Sequence, residues 1–410
     1  MLEPQGTVFF LLLLAAFGGL VTWLVMTSRV VFRVLAALLA FVPAMVFGIA
    51  VVNKYYDYYQ TWGSLVSDLS GQASSVPHLS AASLGKGTSK SLVGSLGQAN
   101  DAALDAQYGL LFSTTIAGRR SHISRQAYVY LPPQYFSKAY ANYRFPAIEL
   151  LHGSPGDPAA WVNVMNVIPV FLAAMAAHKA DPAVLVMPNT DGGLQYALQC
   201  LNDPHGIQDM TYVGKDVPAW VAANLRVQTS GTAWGIAGYS EGGYCAVNIG
   251  LQYAASFGAA GSLSGYFSPT PSQLPVDGKP RDVNVYARDA HLEMVNSPDE
   301  YILHLPIGDI IPQFFLSAGA TDEGDVAAAT TFRQELELRD AGVPLDIVPG
   351  GGHQALVWRS ALTPMLEWMT PILTANVATI EYELKHHHHP VVPHKVVKHR
   401  PVKDKAATVD

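Results

Sequence analysis

Charge is scarce in this chain. Only 14% of its 410 residues are Asp, Glu, Lys or Arg, where globular proteins carry about a quarter. The mean hydropathy is positive, +0.18, which is unusually apolar for a soluble enzyme. The charge balance is acidic, at −7, so no nucleic acid is expected as a partner. Cysteine is almost absent. Two residues, Cys200 and Cys245, allow one disulfide at most and exclude a disulfide-built scaffold. No internal repeat is visible, which excludes solenoid and propeller architectures. The first 28 residues hold neither Lys nor Arg, and the first charge is Glu3. A cleaved secretory signal would begin with a basic region, so removal of this segment is not expected.

The missing charge is explained by what fills the N-terminus. "TVFFLLLLAAFGGLVTWLVM" (7–26) is uncharged and long enough to cross a bilayer as a helix. "VLAALLAFVPAMVFGIAVV" (34–52) is a second such run, with Pro43 tolerable as a kink. Arg29 and Arg33 lie at the turn between them. The positive-inside tendency puts that turn in the cytoplasm and everything after Val52 outside. Residues 1–60 therefore read as a membrane anchor, and "NKYYDYYQTW" has the Tyr and Trp density of an interfacial belt. Residues 61–106 are rich in Gly, Ser and Ala and suit a flexible linker. Residues 381–410 form a basic tail bearing His, Pro and Lys, with no periodic apolar face, and disorder is expected there.

Between these, residues 107–380 alternate strand-like and helix-like stretches. "RQAYVYLPPQYF", "FPAIELLHG", "DPAVLVMPNT", "TAWGIAG", "GAAGSLSG", "IPQFFLSAG" and "PLDIVPG" read as strands. "VIPVFLAAMAAHKA", "VPAWVAANLR", "EGGYCAVNIGLQYA" and "DVAAATTFRQELELRDAG" read as helices. Such alternation predicts a mostly parallel sheet with helices on both faces, with the chemistry just after the strand ends.

That rule selects a small set of residues. "GIAGYSEGG" places Ser240 within G-x-S-x-G at a strand-to-helix junction, as in a nucleophile elbow. After "IPQFFLSAG" come Asp322, Glu323 and Asp325; Asp322, first after the turn, is the favoured acid, and Asp325 can cap the following helix. After "PLDIVPG" comes His353 on a glycine-rich turn. Serine, acid, histidine is the chain order of α/β-hydrolases. The chemistry needs all three, because a serine hydroxyl is a weak nucleophile until an imidazole held by a carboxylate takes its proton. Oxyanion donors are expected at the backbone N–H groups of Glu241 and of Ser154 in "LLHGSPGDPAAW", since Pro155 has none. His152, at a strand end before that loop, is expected to buttress it rather than to act as a base. Cys200 and Cys245 could form a disulfide that pins the loop after the fourth strand beside the site.

"AYVYLPPQYF", "LLHGSPGDPAAW", "WGIAGYSEGGYCA", "GSLSGYF" and "GGHQALVWR" together resemble the esterase family that includes esterase D, feruloyl esterase domains and the actinobacterial mycolyltransferases. The resemblance spans about 120–370. It implies an α/β-hydrolase fold and serine acyl-ester chemistry without metal or organic cofactor, with Ser240 as nucleophile, His353 as base and Asp322 as acid. Mycolyltransferases carry Asp-Gly where this chain has His152-Gly153, which tilts the expectation towards hydrolysis. The expectation is a membrane-anchored, extracytoplasmic serine esterase acting on acyl or aminoacyl esters of the cell envelope, its partners the membrane and a lipid or envelope substrate. The rivals are an acyltransferase to an envelope sugar and a catalytically inactive anchored binding domain.

Overall fold

A computed structural model describes residues 3–56, 58–69, 107–191, 199–204, 206–229, 231–269, 272–276, 279–283, 289–306, 308–339 and 341–386. Most of the 61–106 linker and residues 387–410 of the tail lie outside these.

Eight strands form one sheet: β1 (Leu110–Ala117), β2 (Ser124–Leu131), β3 (Ala147–Leu151), β4 (Val184–Pro188), β5 (Trp234–Tyr239), β6 (Ala259–Leu263), β9 (Gln313–Gly319) and β10 (Leu345–Val348). Their order is β1-β2-β4-β3-β5-β6-β9-β10. β2 is antiparallel to both neighbours and every other pairing is parallel. The central strands read as unbroken apolar runs because both faces are covered; β3 (AIELL), β4 (VLVMP) and β5 (WGIAGY) are buried throughout. A small antiparallel hairpin, β7 (Ser272–Val276) and β8 (Lys279–Val283), stands apart. This is the α/β-hydrolase fold. β1 and the β7–β8 hairpin were not expected from the sequence. β1 (LLFSTTIA) mixes polar and apolar residues at the sheet edge, and β8 (KPRDV) carries no apolar run.

Two cores lie on opposite faces of the sheet. On one face, α7 (Glu241–Gln252) is buried from Glu241 to Leu251. Gly242, Gly243, Ala246 and Gly250 make this possible, since small residues let a helix lie close on a sheet. On the other face runs α11 (Ala355–His386), whose Leu362, Met365, Leu366, Met369 and Leu373 recur every three to four residues and are fully buried. It continues past the expected domain end at 380. The remaining helices are α4 (Ala159–Asn163), α5 (Val167–Ala176), α6 (Val217–Asn224), α8 (Ala290–Val295), α9 (Pro298–His304) and α10 (Glu323–Glu337).

Ahead of the sheet, α1 (Thr7–Met26) and α2 (Val30–Tyr56) pack as a hairpin, both long and apolar enough to cross a membrane. The buried residues of α2 are Ala36, Ala40, Pro43 and Ala50, a seam of small side chains that lets the backbones approach closely. Within the expected linker, α3 (Trp62–Leu69) lies against α4.

Candidate active site

Ser240 occupies the turn between β5 and α7 with φ 56° and ψ −125°, a backbone region that non-glycine residues rarely adopt. The neighbours hold it there. A Cβ on Gly238 would lie 2.1 Å from the Gly242 carbonyl oxygen, and one on Gly242 would lie 2.2 Å from that of Leu151. No larger residue fits either place. The Ser240 N–H donates to Leu263 O at 2.9 Å, tying the turn to the end of β6. The hydroxyl is thereby presented at the C-terminal edge of the sheet, where β3, β4, β9 and β10 also end.

His353, on the loop after β10, reaches this hydroxyl. Its Nε2 is 2.8 Å from Ser240 Oγ and its Nδ1 is 2.7 Å from Asp325 Oδ2. The edge of its ring meets Trp358 at 5.3 Å between centroids. The carboxylate that meets the imidazole is thus not the expected one. Asp322 is the N-cap of α10, and its Oδ1 accepts the Asp325 N–H at 3.0 Å. The roles suggested by the sequence are exchanged: the first acid after β9 caps, and the acid one turn into the helix turns back towards the strand ends. An Asp preceding a helix by one residue is a strong N-cap signal, and that signal was available from the sequence. Asp322, Asp325 and His353 have oxygen and nitrogen atoms within 4.8 Å of one another, a spacing that could also hold a metal ion. Both ring nitrogens of His353 are, however, already committed to Asp325 and Ser240.

Ser154 and Glu241, the expected oxyanion donors, flank the elbow. Among the described residues neither backbone N–H has a hydrogen-bond acceptor. His152 is buried and bridges two strand ends: Nδ1 is 2.9 Å from Gly153 O, and Nε2 accepts the Thr190 N–H at 3.2 Å. That pattern assigns the proton to Nδ1 and makes His152 a strut between the loops after β3 and β4.

The Glu241 side chain is a feature the sequence reading missed. It is buried, with Oε1 accepting the Gln199 N–H at 2.9 Å and the Ser154 side chain alongside. Burial, with Asp191 and Asp209 nearby, pushes its carboxyl up to about 8. Asp209 is raised to about 6 by burial despite Arg125, whose Nη1 lies 2.5 Å from it. Cys200, next to Gln199, is disulfide-bonded to Cys245 of α7, with Cα atoms 5.6 Å apart. Glu241 therefore joins the loop after β3 to a loop that is itself stapled to α7.

Comparison with known proteins gives the family and the fold. The family described as "Putative esterase" matches residues 120–369. An uncharacterized protein of Corynebacterium glutamicum is 26% identical over 351 residues, covering 82% of this chain and 76% of the relative. Among solved structures, a ferulic acid esterase superposes with a TM-score of 0.55 at 22% identity, covering 64% of this chain and 98% of that one. An S-formylglutathione hydrolase of Agrobacterium tumefaciens gives 0.51 at 16% identity, covering 64% and 95%. One of Staphylococcus aureus gives 0.50 at 19%, covering 63% and 98%. These likenesses establish the fold, and the family match extends over more than half of the chain. The chain belongs to this esterase family and is an ester-hydrolysing serine enzyme.

Proposed function

We propose that the protein is a membrane-anchored, extracytoplasmic esterase that hydrolyses acyl or aminoacyl esters of the cell envelope, with Ser240, His353 and Asp325 as its catalytic set. The observation that carries this reading is the unbroken line Ser240 Oγ, His353 Nε2, His353 Nδ1, Asp325 Oδ2, with contacts of 2.8 and 2.7 Å. In the first half-reaction Ser240 Oγ attacks the ester carbonyl while His353 Nε2 takes its proton. Asp325 holds the imidazole in orientation and stabilises its positive charge. The tetrahedral oxyanion is met by the N–H groups of Ser154 and Glu241. His353 returns the proton to the departing alcohol, leaving an acyl group on Ser240. Water, deprotonated by His353, then attacks the acyl carbon, and the free acid leaves with Ser240 Oγ reprotonated.

The anchor supports the choice of substrate. Two helices of spanning length present Leu12, Leu38, Phe41 and Ile49 outward, and the basic residues Arg29 and Arg33 flank their shared turn. The positive-inside tendency sets the catalytic domain outside the cell. Confinement to one surface raises the effective concentration of a membrane-borne ester without any new contact. Aminoacylated phospholipids and acylated sugars are the leading substrates.

The test uses full-length protein in lipid vesicles, a fluorophosphonate probe and a panel of envelope and water-soluble esters. Wild type should label and release free acid, and Ser240→Ala should do neither. Acyl transfer to a sugar in place of free acid would make the enzyme a transferase. Cleavage of soluble esters alone, with every lipid ester untouched, would remove the envelope assignment.

A further inference from the structure

The sequence reads the stretch after the hairpin as an interfacial belt leading into a loose tether, yet residues 58–69 are seated on the catalytic domain. Tyr58 and Tyr59 are half-buried against the same core that contains Tyr239, Trp161 and Trp358. They are fixed from the anchor side as well. Asn53 at the end of α2 donates from Nδ2 to Tyr59 O at 2.9 Å and accepts the Tyr59 N–H on Oδ1 at 2.8 Å. The Tyr58 N–H donates to Asn53 O at 3.3 Å. Glu3 Oε2 accepts the Trp62 N–H at 3.3 Å, and the Trp62 ring meets Phe9 edge-on at 5.0 Å. From Trp62 onward α3 lies on α4, which directly follows the oxyanion loop.

From Tyr58 a line of rings leads to the reacting groups. Tyr58 packs against the cluster that holds Tyr239 and interacts with its phenol. Tyr239 immediately precedes Ser240. Its ring stacks on Trp358 at 4.6 Å and meets Trp161 at 5.2 Å. Trp358 in turn touches the His353 imidazole at 5.3 Å. The backbone of Gly153, in the oxyanion loop, also interacts with the Tyr239 side chain. The nucleophile turn, the loop after β3 and the histidine loop thus share one aromatic support, and Tyr58 and Tyr59 pack against it.

From this packing we infer that Tyr58 is a positioning residue: the anchor segment completes the support of Ser240 and His353, so the hairpin tunes turnover as well as holding the enzyme at a surface. The inference rests on the assignment of Ser240 and His353 above. Displacing a reacting group by about 1 Å can cost on the order of a hundredfold in rate. Truncating Tyr58 leaves a void beside Tyr239, from which the Trp358 and His353 rings can relax.

The experiment uses the full-length chain in detergent with a water-soluble chromogenic ester, so that membrane proximity plays no part. Wild type, Tyr58→Ala, Tyr58→Phe and Tyr55→Ala are compared, Tyr55 being largely exposed at the end of α2. Each rate is divided by the number of active sites titrated with the fluorophosphonate probe, which removes any loss due to misfolding. Tyr58→Ala should lower kcat and the labelling rate about tenfold or more, with KM within about twofold. Tyr58→Phe should recover most of that loss, and Tyr55→Ala should match wild type. Labelling at Ser240 with equal per-site rates in all four proteins overturns the inference and leaves the esterase reading standing. A wild type that never labels overturns both.

Discussion

The hairpin and the C-terminal helix are both long, and they use their apolar side chains in opposite senses. In α1 and α2 the large residues face outward, Leu12, Leu38, Phe41 and Ile49 among them, while alanines and Pro43 fill the contact between helices. In α11 the large residues, from Leu362 to Leu373, face the sheet. In water a helix buries its large apolar side chains, because exposure costs about 25 cal/mol per Å². In lipid that cost vanishes, and close backbone approach through small residues holds helices together instead. The hairpin, read as an anchor, is therefore specified by composition and a small-residue seam. The catalytic domain depends on individually placed polar contacts. Replacing single polar side chains should then be severe in the second region and mild in the first.

The largest break in that comparison is at the site. Ser240→Ala or His353→Ala should each reduce ester hydrolysis on the order of 10⁴-fold or more, because such residues act as a unit. Asp325→Asn should be nearly as severe, since Asn cannot hold the imidazole in the required form. Asp322→Asn should change kcat by less than a few-fold, because Asn caps a helix about as well as Asp. Steady-state kinetics of the four variants checks this set. Reversal of the two aspartate results would return the acid to Asp322.

How far the sequence reaches is seen at the same residues. Seven of the eight strands of the sheet were legible because each is a short apolar run closed by a turn residue. Ser240 and His353 stood out because each follows such a run in a glycine-rich turn. The choice between Asp322 and Asp325 was not legible by counting from the strand. It turns on whether the strand-to-helix turn spends its first carboxylate on the helix end, a local preference overlooked in favour of chain order. The β7–β8 hairpin was missed because KPRDV has no alternating apolar pattern. The docking of Tyr58 was hidden for another reason. A tyrosine-rich stretch after a spanning helix satisfies the interfacial pattern equally well, and only tertiary contacts separate the two.

A smaller break concerns the staple between the loop after β4 and α7. Cys200 and Cys245 are 45 residues apart, and a chain-entropy estimate for a loop of that length is about 4 kcal/mol. Cys200→Ala/Cys245→Ala should lower stability by up to that amount in denaturant titration. It should also reduce kcat, because Gln199 loses its hold on Glu241 beside the oxyanion loop. A doubly substituted protein of unchanged midpoint would show that the loop is fixed by its other contacts.

The last effect expected is on stability alone, a pH dependence centred on Glu241. Its carboxyl is raised from an ordinary 4.5 to about 8 by burial, with Asp191 and Asp209 adding to the rise and the Gln199 N–H and Ser154 opposing it. Between these two values the folded protein binds a proton at Glu241 that the unfolded chain has released. Stability from this group is therefore fully present below about pH 4.5, falls as pH rises, and levels off above about 8. Asp209, raised to about 6, acts in the same direction over the lower part of that window. Glu241→Gln keeps the shape and removes the titration, so its midpoint should fall less between pH 5 and 8 than that of wild type. Thermal melts of the two proteins across this range measure the difference. Parallel curves would mean that Glu241 is already ionised in the folded protein at pH 5, with Gln199 and Ser154 stabilising the charge more than burial opposes it.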